Sequence, residues 1–590
     1  MLSSVSDKNM YTIAILAEHK VSYFGFARRL NRYGLQAQES DAIGHDMESV
    51  LQQFNFNTMV FVGRLLDPEN EPYRQANQVY ELVDAHRFDG VMVFAGGLGQ
   101  RVDQIYMDQF CRQFVDKPLV TVEQSFPGIP SVMLDDYAGA RLAIEHLVVE
   151  HGYRRIVFLR GPAAHVGAEL RYQAYLDVLK ENDIPFDPTL VSPPPSEWWP
   201  PPSFDDFLLS NGLNFEAVMG ASDSLALYMM RALKRRGIRV PSDVAVVGFD
   251  DSEESWGALP PMTTVRPGHR EKNRLAAELL MRQIRGEVLE GVVLKPEPEL
   301  VVRRTCGCFP TEYELAAYTP PVIARGEEVL TLEQFWDHYR EPILEATAPA
   351  FALWSEAQHE ESLWALSEAL VQALVQEDER PFLLMLEDIF YAYYRDASNV
   401  SMWHIVLTLL GDYCATCLPQ EEKPQLQALL YKAHALIADV SEWSWRRTNY
   451  LLIRNMLDLK TIMNNIRIHV HLEPLLAAIV EGMEALKIRY FYLCLYEMTM
   501  AGQQAHLVLA YREGARVGVG PKVLYAPTTL LPEEMWPDEA GYSLVTLPLF
   551  FNDEDLGYCL IEDLFQVDTE GLAMQLSSVL YGVLLLMRGD

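Results

Sequence analysis

The sequence predicts an α/β protein over residues 10–308, built as two doubly wound lobes with parallel sheets. An all-α segment with a long helix follows, and then a C-terminal α+β module. Three observations carry this. Short apolar runs alternate with amphipathic stretches throughout residues 10–308, the pattern of parallel sheets with right-handed crossovers. Each run ends in a loop holding Gly, Asp or Ser. One run, Val244 to Phe249, ends on two adjacent carboxylates, Asp250 and Asp251. Ligands of open α/β sheets sit just beyond the carboxyl ends of strands, where a carboxylate accepts hydrogen bonds from a polar ligand.

In chain order, TIAILA (Thr12 to Ala17), TMVFVG, DGVMVFAG, KPLVTV, YRRIVFLRG, FEAVMGASD and DVAVVGFDD read as strands. Each is short enough to be fully buried. Ala138 to Glu150 and Ser224 to Gly237 read as amphipathic helices. PPPSEWWPPP (Pro193 to Pro202) is a stiff surface loop, because Pro fits neither a helix interior nor a central strand. Prolines 310, 320 and 321 mark a linker over 309–327, and residues 328–440 carry helical spacing. A long helix over 441–471 places Leu452, Met456, Leu459, Met463, Ile466 and Val470 at 4-3-4-3-4 spacing, with Asn449 at one core position. That pattern fits either a seam pairing two chains or a helix packed in its own domain. Residues 472–590 read as helix, strands and closing helix.

The bulk numbers bound the function. A chain of 590 residues has room for about four domains. A net charge of −34 disfavours a broad phosphate-binding surface. No run of about 18 apolar residues is evident, so no membrane span is expected. The start, MLSSVSDKNM, lacks a secretory pattern, and the expected location is cytoplasmic. The seven cysteines read as reduced thiols. Cys306-Gly-Cys308 and Cys414-Ala-Thr-Cys417 lack a second ligand pair in sequence, so no metal is expected. Gly96, Gly97 and Gly99 fit neither a phosphate loop nor a dinucleotide fingerprint and are expected to form a tight turn. No catalytic constellation and no cofactor motif is present, and no enzyme activity is expected.

Several motifs together carry a resemblance. VMLDDYAGARLAIEHLVVEHGYRRIVFLRGP, HVGAELRYQAYLDVL, ASDSLALYMMRALKRRGIRVPSDVAVVGFDD, LPPMTTVRP and VVRRTCGC resemble the effector-binding domain of LacI/GalR-type bacterial regulators, which share the periplasmic-binding-protein fold. The resemblance covers about half the chain. The C-terminal module resembles a GAF-like domain in element order alone. The LacI/GalR likeness implies a small polar effector, sugar-like or nucleoside-like, bound between the lobes. It implies that Arg171 forks onto ligand hydroxyls and that Asp250 accepts from them. Ser222 stands where the family more often has Asn, and Asp223 beside it is expected to cap the next helix. Trp198 or Trp199 stacks on the ligand or else pins its loop. His165 either lines the cleft or is solvated. His19, Tyr23 and Ser125 are further candidates.

The helix-turn-helix usual in this family is not found in the sequence, so no direct specific DNA binding is expected. The expected partners are the effector, a second copy in a homodimer, and a separate output protein, with no membrane. The alternatives are a solute-binding protein, or the sensor portion of a longer regulator ending in a diguanylate cyclase, histidine kinase or DNA-binding domain.

Overall fold

A computed structural model describes residues 11–18, 56–83, 87–163, 165–195, 198, 214–308, 336, 340, 341, 344, 347, 356–376, 378–393, 403–415, 423–500, 502–537, 542–562 and 569–589. They fall into two compact units. One draws on residues 1–25, 43–309 and 455–590, the other on 26–42 and 310–454.

The first unit holds both α/β lobes. In the first lobe, β1 (Tyr11–Ala17), β2 (Phe56–Val62), β3 (Gly90–Val93), β4 (Leu119–Val122) and β5 (Ser131–Val132) are parallel. In the second, β6 (Ile156–Leu159), β7 (Ala217–Gly220), β8 (Ala245–Phe249) and β9 (Thr263–Arg266) are parallel. The chain then returns to the first lobe, where β10 (Val293–Leu294) pairs with β5. Finally β11 (Glu299–Val301) joins β9 antiparallel in the second lobe. The strands β3, β4, β6, β7 and β8 are buried along their whole length, which is why they read as continuous apolar runs.

The C-terminal module is part of the same unit. Its strands β12 (Tyr490–Thr499), β13 (Gly502–Arg512), β14 (Ala515–Val517), β15 (Ser543–Phe551) and β16 (Glu554–Glu562) pair antiparallel in the order β15-β16-β12-β13-β14. Strand β15 also pairs parallel with β2, from Ser543↔Thr58 to Thr546↔Phe61. One 11-stranded sheet therefore runs from β10 to β14. Alternation of side chains gives this sheet a core on each face. Ile13, Ile15, Val60, Val545, Leu547 and Phe491 point one way, and Ala14, Leu16, Met59, Phe61, Leu544 and Tyr492 the other. At the junction Thr58 donates its hydroxyl to Ser543 Oγ at 2.8 Å, so the buried hydroxyl pair is satisfied.

The helix expected over 441–471 begins earlier, at Lys423, and ends at Arg467. A boundary at 440 thus falls inside a helix. Its described apolar face is also occupied. Ile466 is fully buried, and Leu459 and Met463 pack into the core that contains Leu475, Ile479 and Leu576. Side chains already inserted into their own domain cannot fill holes in a second helix, so at these three positions the structure shows the packed-helix alternative and not a pairing seam. The side chains of Asn449, Leu452 and Met456 lie outside the described residues. Val470 follows the helix and is exposed. Among the described residues one helix, Thr569–Met587, is long and apolar enough to cross a membrane by length and composition. Its residues Leu572, Leu576, Leu580 and Val583 pack against the C-terminal sheet.

The second unit is helical. Glu356–Val375, Arg380–Tyr393, Trp403–Cys414 and the first part of Lys423–Arg467 bury Leu366, Leu370, Phe382, Trp403, Leu410 and Ile437 together.

Candidate functional site

Between the two lobes lies a cleft of about 300 Å³. It is lined from the carboxyl ends of parallel strands on both sides. Glu18 follows β1, Gly96, Gly99 and Gln100 follow β3, and Glu123 and Gln124 follow β4. From the second lobe come His165 and Arg171 after β6, Ser222 after β7 and Asp250 after β8, with Trp198 beside them. This is where the strand-end rule places a ligand.

Arg171 sits on the helix Val166–Glu181, and its side chain is 5% exposed. Its Nε donates to Asp136 Oδ1 at 2.8 Å, and its Nη1 donates to the Ala221 carbonyl at 2.5 Å. The guanidinium lies 3.6 Å from the centroid of the Phe249 ring. Nη1 also reaches Asp250 Oδ1, at 3.4 Å. Most of the donor fork is therefore turned inward. Arg171 lines the cleft, but its main work is to join three strand ends of the second lobe. Asp136 is the residue that makes this possible. Gly167 lets the helix approach it, since a Cβ there would lie 2.6 Å from Asp136 Oδ2.

The adjacent carboxylates divide their roles. The Asp250 side chain is 36% exposed and faces the cleft. Asp251 is fully buried. Its carboxylate accepts from Arg266 Nε at 2.8 Å, Arg303 Nη2 at 2.6 Å and Trp256 Nε1 at 2.8 Å. Asp251 is thus a structural anion. Asp250 adopts φ 114°, a conformation that costs a non-glycine residue about 1–3 kcal/mol.

The helix Asp223–Arg235 is capped by Ser222, whose hydroxyl accepts from Leu225 N at 3.4 Å. Asp223 does not cap. It is buried, accepting from Thr264 Oγ1 at 2.6 Å and Ser252 N at 2.7 Å. Burial, and then the charge of Asp250, pushes its carboxyl well above the usual range. Ser222 both caps and lines the cleft, so its hydroxyl is partly committed.

The Trp198 ring meets His165 edge-on at 5.0 Å and lies 5.4 Å from the Arg171 guanidinium. His165 is the cap of its helix, its Nδ1 accepting from Ala168 N at 3.2 Å. Burial, then the Arg171 charge, lowers its pKa and keeps the ring neutral. Trp199, Tyr23 and His19 lie outside the described residues. Ser125 is not among the residues lining the cleft, although Glu123 and Gln124 are.

Glu18, Asp136 and His269 join the cleft without having stood out in the sequence, and Glu123 joins it from the crossover at 123–126 expected to run close by. Glu123 is paired with the buried Lys272, whose Nζ also meets His269 Nδ1 at 3.2 Å. Burial alone would raise the Glu123 carboxyl, but Lys272 holds it below the ordinary range. A signal for two of these was present: Glu18 and Glu123 each follow an apolar run directly, as Asp250 does.

Asp250 yields a pH expectation. Burial pushes its carboxyl up to about 6, against the pull of Arg171, while Asp136 and Glu123 add to the rise. A raised pKa means that ionisation at neutral pH opposes folding. A ligand hydroxyl that donates to the carboxylate favours the ionised form. Affinity for a neutral hydroxylated ligand should therefore fall as pH drops through about 6, by up to tenfold per pH unit. Titration calorimetry between about pH 5 and 8 reads this. Affinity that stays flat or rises towards acid would remove Asp250 from the contact.

Residues 144–306 match the family described as periplasmic binding protein-like domain. The HTH-type transcriptional regulator CelR of Thermobifida fusca is 36% identical over 200 residues, covering 32% of this chain and 54% of that protein. The lactose operon repressor of Escherichia coli (strain K12) is 31% identical over 205 residues, covering 32% and 55%. Among solved structures, a CelR–cellobiose complex is 26% identical, with a TM-score of 0.39, covering 50% of this chain and 84% of that one. The chain spans about half the length of CelR and the lactose repressor. The expectation of no direct specific DNA binding is overturned by these similarities: the relatives are named helix-turn-helix regulators and operon repressors. The chain contains a periplasmic-binding-protein-like domain of two α/β lobes, and its relatives are transcriptional regulators.

Proposed function

We propose that residues 11–308 are the sensor of a cytoplasmic, ligand-responsive regulator, and that the interlobe cleft binds a small, neutral, polyhydroxylated molecule of the sugar or nucleoside class. The observation that carries this is the cleft's excess of acceptors. Glu18, Glu123, Asp136 and Asp250 line it; Arg171 holds Asp136 and Lys272 holds Glu123, so four carboxylates face two bases and Asp250 is the acceptor turned to the cleft. Such a surface takes hydrogen bonds from hydroxyls and repels phosphate and carboxylate groups. Trp198 offers an apolar face for a ring. The relatives named as lactose and ribose operon repressors support the same ligand class and the regulatory role.

Ligand binding draws the lobes together, and the β2–β15 ladder supplies a direct connection from the first lobe to the GAF-like module at residues 472–589. This route needs no paired helix. A ligand shifts the equilibrium between open and closed forms only by its differential affinity for them.

A thermal-shift screen of neutral mono- and disaccharides, nucleosides and their phosphorylated counterparts tests the ligand class. A true ligand at 100 times its Kd adds about 2.7 kcal/mol to stability. Neutral compounds are expected to raise the midpoint and their phosphates to leave it unchanged. Stabilisation by the phosphorylated set alone would overturn the proposal.

A further inference from the structure

A second constellation lies at the end of the second lobe where residues 11–308 finish, on elements that contribute nothing to the cleft lining apart from Asp136. The helix Asp136–Glu145 runs on into a single π turn, His146–Glu150. In that turn the His151 amide donates to the His146 carbonyl, five residues back, at 3.3 Å. In an α-helix, side chains five apart diverge by about 140°. The wider turn instead brings the two imidazoles together, with Nε2 atoms 3.2 Å apart. Facing them is the loop after β11, where Gly307 at φ 106° reverses the chain between Cys306 and Cys308. Cys308 Sγ lies 3.3 Å from His151 Nε2 and 3.7 Å from His146 Nε2. The ligand atoms of His146, His151, Cys306 and Cys308 all lie within 4.8 Å of one another.

The separations among His146, His151 and Cys308 are close to those of a tetrahedral site, and Cys306 stands near enough to complete it with a small shift. Zinc takes thiolate sulfur at about 2.3 Å and imidazole nitrogen at about 2.0–2.1 Å. Tetrahedral angles then put two nitrogens about 3.4 Å apart and a nitrogen and a sulfur about 3.6 Å apart. The surroundings suit the same chemistry. Thr263 donates its hydroxyl to the fully buried Cys306 Sγ at 3.2 Å, an outer contact of the kind that orients a metal-ligating side chain. Tyr153 stacks on the His151 ring at 5.3 Å and 4°, fixing its plane. Two sulfurs and two imidazoles exclude calcium and magnesium, which require oxygen ligands, and suit zinc.

We propose that His146, His151, Cys306 and Cys308 form a structural zinc site. It ties the end of residues 11–308 to the helix Asp136–Glu145, which reaches the cleft through Asp136, and so fixes the point at which the chain leaves the sensor. Plain thiols were the expectation from sequence because no second pair neighbours Cys306-Gly-Cys308. The second pair is supplied in space, from more than 150 positions away.

The test uses the full chain, stripped with a chelator and titrated with Co(II) and then Zn(II). One equivalent of Co(II) should give the intense visible bands of a tetrahedral thiolate site, and Zn(II) should abolish them. Zn(II) should also protect Cys306 and Cys308 of the wild type from alkylation, mapped by mass spectrometry. Cys308→Ser and His151→Gln, both at partly exposed positions, should each weaken Zn(II) binding at least tenfold while keeping the circular dichroism spectrum. The alkylation arm needs no variant to fold. Absence of the bands and of protection, a Cys306–Cys308 disulfide in the native protein, or unchanged affinity in both variants would overturn the proposal.

Discussion

Asp250→Gly is expected to remove most ligand binding while leaving folding stability unchanged or higher. The carboxylate is the acceptor aimed into the cleft, and a hydrogen bond to a charged group contributes about 1.5–3 kcal/mol. Its loss should weaken binding by roughly 10- to 150-fold for each bond made. Stability responds differently. Asp250 holds φ 114°, which glycine adopts without the Cβ penalty. Its carboxyl is also raised by burial and by the charges of Asp136 and Glu123, so removing it relieves a cost of folding. The Asp250–Arg171 hydrogen bond is long, at 3.4 Å, and in the variant Arg171 keeps Asp136 and the Ala221 carbonyl. Calorimetric titration alongside urea unfolding separates the two effects. A variant that binds normally, or that loses several kcal/mol of stability, would contradict this division of roles.

Asp251→Ala, one residue on, should do the reverse. It leaves the guanidiniums of Arg266 and Arg303 without their shared buried anion and the Trp256 N–H without its acceptor. Breaking a buried ion pair from one side costs about 3–5 kcal/mol. Arg171→Ala belongs with it, because it strands Asp136, 9% exposed, inside the lobe. Arg171→Lys should not restore stability, since an ammonium cannot satisfy Asp136 and the Ala221 carbonyl in the same planar geometry. Denaturation midpoints check all three variants. An Asp251→Ala protein as stable as wild type would show that the buried cluster contributes no net stability.

Much of this was legible in the sequence, for a reason that also marks the limit. A strand buried on both faces reads as a short apolar run, so β1 to β4 and β6 to β8 were found. Strand β9, with the sequence TTVR, and the two-residue β5 and β10 carry no such run. The C-terminal strands were recognised, but their union with the first lobe was not. The Thr58–Ser543 hydrogen bond spans 485 positions and leaves no local trace. The same limit governed the site. Asp250 was visible because an acid ended a strand, whereas the inward turn of Arg171 depends on Asp136 and Ala221, which only the fold brings near. His146 and His151 look divergent on any helical projection and converge only through a π turn. The 4-3 spacing of Leu459, Met463 and Ile466 was real, but periodicity does not say which surface a stripe meets. Here it meets the chain's own C-terminal core.

The most direct test is a crystal structure of the protein with the strongest neutral ligand from the thermal screen. The ligand should lie between the lobes, with a hydroxyl within hydrogen-bond distance of Asp250 and its ring against Trp198. Well-defined ligand density anywhere else, with the cleft empty at saturating concentration, would contradict the assignment of this cleft as the sensor's binding site.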